Sequence, residues 1–288
     1  MLLLSLLAWR QPVVPPVAQT PRASESGSVS DAEGDARFLI VGLTQDENRT
    51  DTIMVAQWDD KNHKVRILSL PRDTGVNIAG IGITKIVHAY ATGGIGRTRV
   101  AVAKELGAPI PHYFIFSLPA MRHLVDLIGG VPATVEKRMI YTDRKQGLFI
   151  DLWPGPQTLD GVHAEQYLRF RHDNEGDIGR IRRQQQFLGA ALTAVRRPQV
   201  WVRLPRIVLA ARAEVGTDLT GSQLLDWVRR VQGLTPESIS ANTVAGRSVR
   251  QWDALARMSL DFWEPDPADY RAKVRWLLTG EPLPMPEP

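Results

Sequence analysis

Three short apolar runs constrain this chain most: "RFLIVGL" (37–43), "TIMVAQW" (52–58) and "KVRILSL" (64–70), each bounded by polar or turn residues. They are too short for stable helices, rich in β-branched and aliphatic residues, and apolar at nearly every position. A strand of that kind is buried on both faces, so the sheet it joins must be covered from both sides. The covers follow in the sequence. "RTRVAVAKELG" (97–107) has helical spacing and ends in Gly107, a residue suited to a left-handed cap. A strand at "HYFIFS" (112–117), a helix at "LPAMRHLVDLIGG" (118–130) and a strand at "VPATVEK" come next. Beyond Arg196 the pattern predicts helices over 203–214, 222–232 and 267–278, with a strand near "ISANTVAG". Alternating strands and helices imply an α/β sandwich with helices over a mainly buried sheet.

With 43% hydrophobic and 23% charged residues in 288, the chain can bury a sizeable core. A net charge of +4 is too small to imply a nucleic-acid partner. There is no cysteine, which excludes disulfides, thiolate nucleophiles and zinc–thiolate sites. "MLLLSLLAWR" is apolar for nine residues before Arg10, short of the ~20 that a spanning helix needs. It reads either as the stub of a membrane anchor or as a plain N-terminus. The segment to residue 35, rich in Pro, Ser and Gly, reads as a flexible linker. The expected organisation is a stub and linker over 1–35, one domain over 36–278 and a Pro-rich tail over 279–288.

The densest polar signal is "YLRFRHDNEGDIGRIRRQQQF" (167–187). Read as an extended chain, "QYLRFRH" points Leu168 and Phe170 inward and Arg169 and Arg171 together onto a polar face. A helix starting near Asp177, with that carboxylate at its positive end, puts Asp177, Arg180, Arg183, Gln184 and Phe187 on one side. Four arginines converging near a helix N-terminus suit a phosphate or pyrophosphate, because the guanidinium fork pairs with two oxygens at once. The plainer reading is a solvated face on which Asp173, Glu175 and Asp177 neutralise the arginines.

Further pairs sit where strands meet loops, the usual ligand edge of an α/β sheet. Arg49 and Asp51 open the second strand, and Arg72 and Asp73 follow the third in "SLPRDTGV". "TKIVHAYATGGIG" (84–96) adds Lys85 and His88 ahead of glycines that permit close backbone approach.

Together, "RTDTIM", "SLPRDT", "TKIVHAYATGG", "LVDLIGGVPATV", "LDGVHAEQYLRFRHDNEGDIGRIRRQQ" and "VGTDLTGSQLLDW" resemble, in order and spacing, the LytR-CpsA-Psr proteins of bacterial envelopes. The resemblance covers roughly 37–275. It implies a three-layer α/β/α sandwich around a central mixed β-sheet, with a hydrophobic pocket for a polyprenyl chain. It also implies an extracytoplasmic, membrane-associated phosphotransferase that moves a glycopolymer from a polyprenyl pyrophosphate carrier to a peptidoglycan hydroxyl. By similarity Arg49, Arg72, Lys85, Arg169, Arg171, Arg180, Arg183 and Gln184 would grip the pyrophosphate. Arg72, Asp51 and Asp73 would carry the chemistry, and Asp51 would hold magnesium. Asp73 equally suits the capping of its own turn.

The chain departs from the family pattern at three places. Thr44 stands where an acid is expected, so one magnesium ligand is missing, with Asp46 a second candidate two residues on. Val87 replaces an asparagine, and the loop from Thr44 to Arg49 is short. The Thr44 departure keeps open a non-catalytic binder of the carrier lipid, and a pyrophosphatase using the same pocket, with water in place of the acceptor hydroxyl, is not separated from a transferase by sequence. A nucleic-acid-binding regulator is disfavoured, since the arginines are interleaved with acids and form no stripe for a duplex.

Overall fold

The computed structural model describes residues 35–173 and 175–284. The expected stub and linker therefore lie outside the described residues except for Asp35, as does the end of the expected tail. The three apolar runs form β1 (Ala36–Leu43), β2 (Thr50–Asp59) and β3 (Lys64–Ser69), an antiparallel meander. A hairpin of β4 (Gly75–Ile78) and β5 (Gly82–Lys85) follows and leads into α1 (Val87–Leu106). Helix α1 begins ten residues earlier than its periodicity predicts and is broken at Gly93 and Gly94. Gly94, at φ 59° and ψ −156°, takes a backbone conformation that side chains disfavour.

After β6 (His112–Phe116) and α2 (Leu118–Leu127) come four short strands, β7 (Val131–Val135), β8 (Met139–Asp143), β9 (Leu148–Leu152) and β10 (Gly155–Leu159). They pair as β8 with β9 and β7 with β10. The helices α3 (Gly161–Arg169), α4 (Gly176–Ala194) and α5 (Pro198–Glu214) are followed by β11 (Gly216–Thr217) and α6 (Gly221–Val231). The chain closes with β12 (Ile239–Thr243), the hairpin β13 (Gly246–Asp253) and β14 (Met258–Pro265), and α7 (Pro267–Thr279).

The central sheet has the order β11-β6-β1-β2-β3-β12, with β1–β6 and β3–β12 parallel and the other pairs antiparallel. It is the mixed sheet expected. Side chains alternate between its faces as a two-residue period requires. Leu39, Val41, Ile53, Val55 and Leu68 pack beneath it with α1 and α7. Phe38, Met54, Ala56, Trp58 and Ile67 project from the other face toward α5 and α6. A third cluster joins α2, α3 and α4 to β7–β9 through Val131, Met139, Ile150, Tyr167 and Phe187. Two helical layers thus enclose the sheet.

One local expectation is overturned. The segment holding Tyr167, Leu168 and Arg169 is the end of α3 and not an extended strand. Ala164, Tyr167 and Leu168 recur at helical spacing, and the Asp160 carboxylate caps the helix by accepting from His163 N at 2.8 Å. Gly161 is needed for close approach, because a side chain there would collide with the Arg122 carbonyl on α2.

Candidate functional site

Between the upper face of the sheet and the helices α2, α4, α5 and α6 lies a cavity of about 1130 Å³. Its depth is apolar, walled by sheet residues such as Ile40, Met54 and Phe114 and by helix residues such as Leu124, Phe187, Ala191 and Trp227. Its mouth is basic. Arg49, Arg72, Lys85, Arg169, Arg171 and Arg180 reach it, together with Asp51, Asp73, His88 and Gln184.

The secondary structure explains this convergence. Asp51 starts β2 and Arg72 lies in the turn after β3, so both sit at one end of the sheet. Arg72 Nη1 donates to Asp51 Oδ1, and Arg72 Nε lies 3.3 Å from Asp177 Oδ2 on α4 and 3.9 Å from Asp73 Oδ2. Burial opposes the Arg72 charge, but Asp51, Asp177 and Asp73 more than offset it and raise its pKa. Lys85, at the end of β5, donates to Asp73 Oδ1 at 2.8 Å. Arg180 Nη2 meets the same Asp177 oxygen, Oδ2, at 3.2 Å, and burial lowers the Arg180 pKa. Asp177, in the first turn of α4, bridges two arginines.

Arg169, at the last turn of α3, is held by Glu165 Oε1 at 2.8 Å and Gln146 Oε1 at 2.7 Å. Arg171 is exposed in the loop beyond. Arg49 sits 3.8 Å from Asp46. Three polar atoms at the mouth are buried without a hydrogen-bond partner among the described residues: Arg72 Nε, Arg180 Nε and Gln184 Oε1. An unmet buried donor costs about 1–3 kcal/mol; for Arg72 Nε the Asp177 carboxylate 3.3 Å away offsets part of that cost, while Arg180 Nε is left unmatched among the described residues.

Arg183 does not join the cluster, contrary to the helical-wheel reading. It is fully buried, donates to Asp173 Oδ2 at 3.0 Å and to the Phe170 carbonyl, and stacks 5.3 Å over the Phe170 ring. It pins the turn from which Arg171 projects.

His88 carries an arrangement that the sequence hid. Its Nδ1 lies 2.7 Å from Thr84 Oγ1 and 3.5 Å from Asp253 Oδ2. Thr84 Oγ1 donates its one proton toward Asp253, 2.9 Å from Oδ2 and 3.1 Å from Oδ1. Backbone amides of Leu255 and Ala256 also donate to this fully buried carboxylate. Burial disfavours the Asp253 charge, but these donors outweigh it and lower its pKa. Both neighbours of His88 Nδ1 are therefore acceptors, which places the ring proton on Nδ1 and leaves Nε2 a lone pair at the cavity wall. Burial, reinforced by Lys85 and Arg49 and opposed by Asp253 and Asp73, lowers the His88 pKa, so the ring is neutral near pH 7.

The described side chains at the mouth do not form a complete magnesium cage, so an ion held by Asp51 or Asp46 would need phosphate oxygens of a substrate to complete its coordination. No group of three or more His, Cys, Asp or Glu among the described residues is arranged to hold a metal. Asp51 is committed to Arg72, and Asp46 accepts from Thr44 Oγ1. Thr44 also accepts from Arg49 N at 3.2 Å, so it closes the short 44–49 loop.

Fold and cavity together define a class of α/β/α sandwich with an apolar chamber under a basic rim. The chain belongs to the LytR-CpsA-Psr family, whose model matches residues 17–263. It is 34% identical over 195 residues to the Staphylococcus aureus protein named regulatory protein MsrR, covering 66% of this chain and 58% of that protein. A Bacillus mycoides protein named polyisoprenyl-teichoic acid–peptidoglycan teichoic acid transferase TagU is 30% identical over 213 residues, 72% of this chain and 66% of its own length. Among solved structures, TagV of B. subtilis superposes with a TM-score of 0.73 at 24% identity, over 84% of this chain and 95% of TagV. TagT with bound octaprenyl pyrophosphate lipid superposes at 0.64 and 22% identity, over 84% and 88%. These structural likenesses establish the shared fold.

Proposed function

We propose that this protein is an extracytoplasmic, membrane-associated phosphotransferase that takes a glycopolymer from a polyprenyl pyrophosphate carrier and joins it to a peptidoglycan hydroxyl. The observation that carries the reading is the convergence of Arg49, Arg72, Lys85, Arg169, Arg171 and Arg180 at the mouth of an apolar cavity. Such a site matches an amphiphile with a long apolar tail and a diphosphate head. The name of the TagU relative and the lipid in the TagT structure support it.

In this reading Arg49, Arg72, Lys85, Arg169, Arg171 and Arg180 hold the diphosphate, with Gln184 beside it. Gathering charge at a fixed point is the main catalytic contribution available to a phosphoryl transfer. The acceptor hydroxyl oxygen attacks the phosphorus that bears the glycan, its proton passes to His88 Nε2, and the bridging P–O bond breaks. The electron pair leaves with the polyprenyl phosphate, whose charge the arginines offset. Asp51 and Asp73 keep Arg72 and Lys85 aimed. No step is routed through a metal.

The test is turnover of a short-chain polyprenyl pyrophosphate sugar with a peptidoglycan fragment, comparing wild type, Arg171→Ala and His88→Gln. Arg171→Ala should lose binding. His88→Gln should bind normally and turn over about 100-fold more slowly, the usual range for a general base. Hydrolysis without transfer would assign a pyrophosphatase, and binding without turnover a carrier-lipid binder.

A further inference from the structure

Helix α5 presents an apolar stripe to solvent. Val202, Pro205, Leu209 and Ala213 recur at helical spacing on its outer face and are all exposed. Val202 is 87% and Leu209 71% exposed, with Trp201 at the edge. The inner face of the same helix is ordinary core at Val200 and Ala210, while Ile207 and Ala211 line the cavity. The helix is therefore a wall with the apolar chamber on one side and an uncovered apolar stripe on the other.

Charge identifies what covers it. Arg196, Arg197, Arg203, Arg206 and Arg212 lie on or beside α5, and no Asp or Glu occurs between Asp177 and Glu214. Three of these arginines turn back on the fold, Arg197 Nη1 to the Gly130 carbonyl at 2.9 Å, and Arg203 Nη1 toward the Leu127 carbonyl and Arg212 Nη1 toward the Leu219 carbonyl, both at 3.3 Å. Their charge is nevertheless unneutralised by any acid on the helix until its last residue, Glu214, which pairs with His123. A helix with an apolar stripe, an interfacial tryptophan and only cationic flanks suits the boundary layer of an anionic bilayer. A protein partner of ordinary mixed charge has no such need for a helix free of acids from Pro198 to Ala213.

We infer that α5 lies on the surface of an anionic lipid bilayer with Val202, Pro205 and Leu209 inserted among the lipids and the arginines at the headgroups. The inference stands without the transfer reaction, since it needs only the stripe and the charge. Its bearing on that reaction is positional: the helix that contacts the bilayer is also a wall of the chamber proposed to take the polyprenyl chain.

The test is cosedimentation of the full chain with phosphatidylcholine vesicles and with vesicles that also contain phosphatidylglycerol, at low and high salt. Wild type is expected to bind the anionic vesicles, and to release substantially at 1 M salt, where the screening length falls to ~3 Å. Val202→Glu with Leu209→Glu should weaken binding at least about tenfold, because both charges would enter the lipid boundary. Arg203→Gln with Arg206→Gln should weaken anionic binding and leave the folded state intact. Residues 1–34 are the same in every variant, so the differences report on α5. Unchanged vesicle binding in both variants would overturn the inference. So would a wild-type dimer in solution that Leu209→Glu converts to monomer, which would assign the stripe to a second copy.

Discussion

Arg183 and Asp173 form a buried ion pair, Nη1 to Oδ2 at 3.0 Å, with neither side chain more than 5% exposed. Lys137 adds a second cation to Asp173 at 3.1 Å. The pair ties α4 to the turn that presents Arg171, and so separates two arginines that the sequence offers as equivalent.

The first prediction follows from that separation. Removing one partner of a buried pair costs about 3–5 kcal/mol when it strands the other charge, and here Lys137 stays on Asp173, so the low end of that range applies. Arg183→Met should therefore lower unfolding stability by an amount of that order in urea denaturation. Arg171→Ala should stay within about 0.5 kcal/mol of wild type while losing affinity for the carrier lipid.

A second prediction concerns pH. The folded His88 pKa is lowered, mainly by burial, while an unfolded histidine titrates near ~6.5. Below that pH the unfolded chain takes up a proton that the folded ring resists, so this contribution destabilises the protein as pH falls through ~6.5 and is absent above it. Denaturation midpoints at pH 7.5 and 5.5 should show a loss of stability on acidification that His88→Gln reduces. Nitrogen chemical shifts should report Nδ1–H for the neutral ring. An Nε2–H tautomer would remove His88 as the proton acceptor.

Magnesium supplies a third. With Asp51 paired to Arg72 and Thr44 in place of an acid, affinity for a polyprenyl diphosphate should change by no more than about threefold between excess magnesium and EDTA. A loss well beyond that would restore Asp51 as a metal ligand.

A fourth tests the chamber. Ala191 lies on α4 about one turn beyond Phe187 and lines the cavity. Ala191→Trp should cut affinity for a long polyprenyl diphosphate about tenfold and leave inorganic pyrophosphate nearly unaffected, because only the long chain needs the blocked volume. Isothermal titration with both ligands separates the outcomes.

Much of the site was readable because it rests on short-range patterns. The β1–β3 runs announce a doubly covered sheet, and Arg49, Asp51, Arg72 and Asp73 flank those runs where strands end. What failed has identifiable physical causes. For Tyr167–Phe170 a two-residue and a helical period fit equally well, and the cap at Asp160 decides for the helix. Arg180, Arg183 and Gln184 share a helical face, yet the 170–173 turn folds over Arg183 alone, a tertiary event that no wheel contains. Asp253 reaches Thr84 from 169 residues away, on a hairpin whose pairing is invisible to local pattern. Thr44 is the reverse case: its identity signalled a departure, and its hydrogen bonds to Asp46 and Arg49 explain how the loop closes without the expected acid.

The chamber of about 1130 Å³ also bears on how firmly the protein holds its shape. A folded chain ordinarily fills the space between sheet and helix with its own side chains. Here sheet residues such as Ile40 and Met54 and helix residues such as Leu124 and Ala191 line a space left open between the layers. A hydrocarbon guest would complete the packing that the chain leaves unfinished, and by mass action each tenfold rise in free guest above its dissociation constant would add about 1.4 kcal/mol against unfolding. Melting temperature would then serve as a gauge of lipid supply, and the unloaded molecule would be the form that heat and proteases find first.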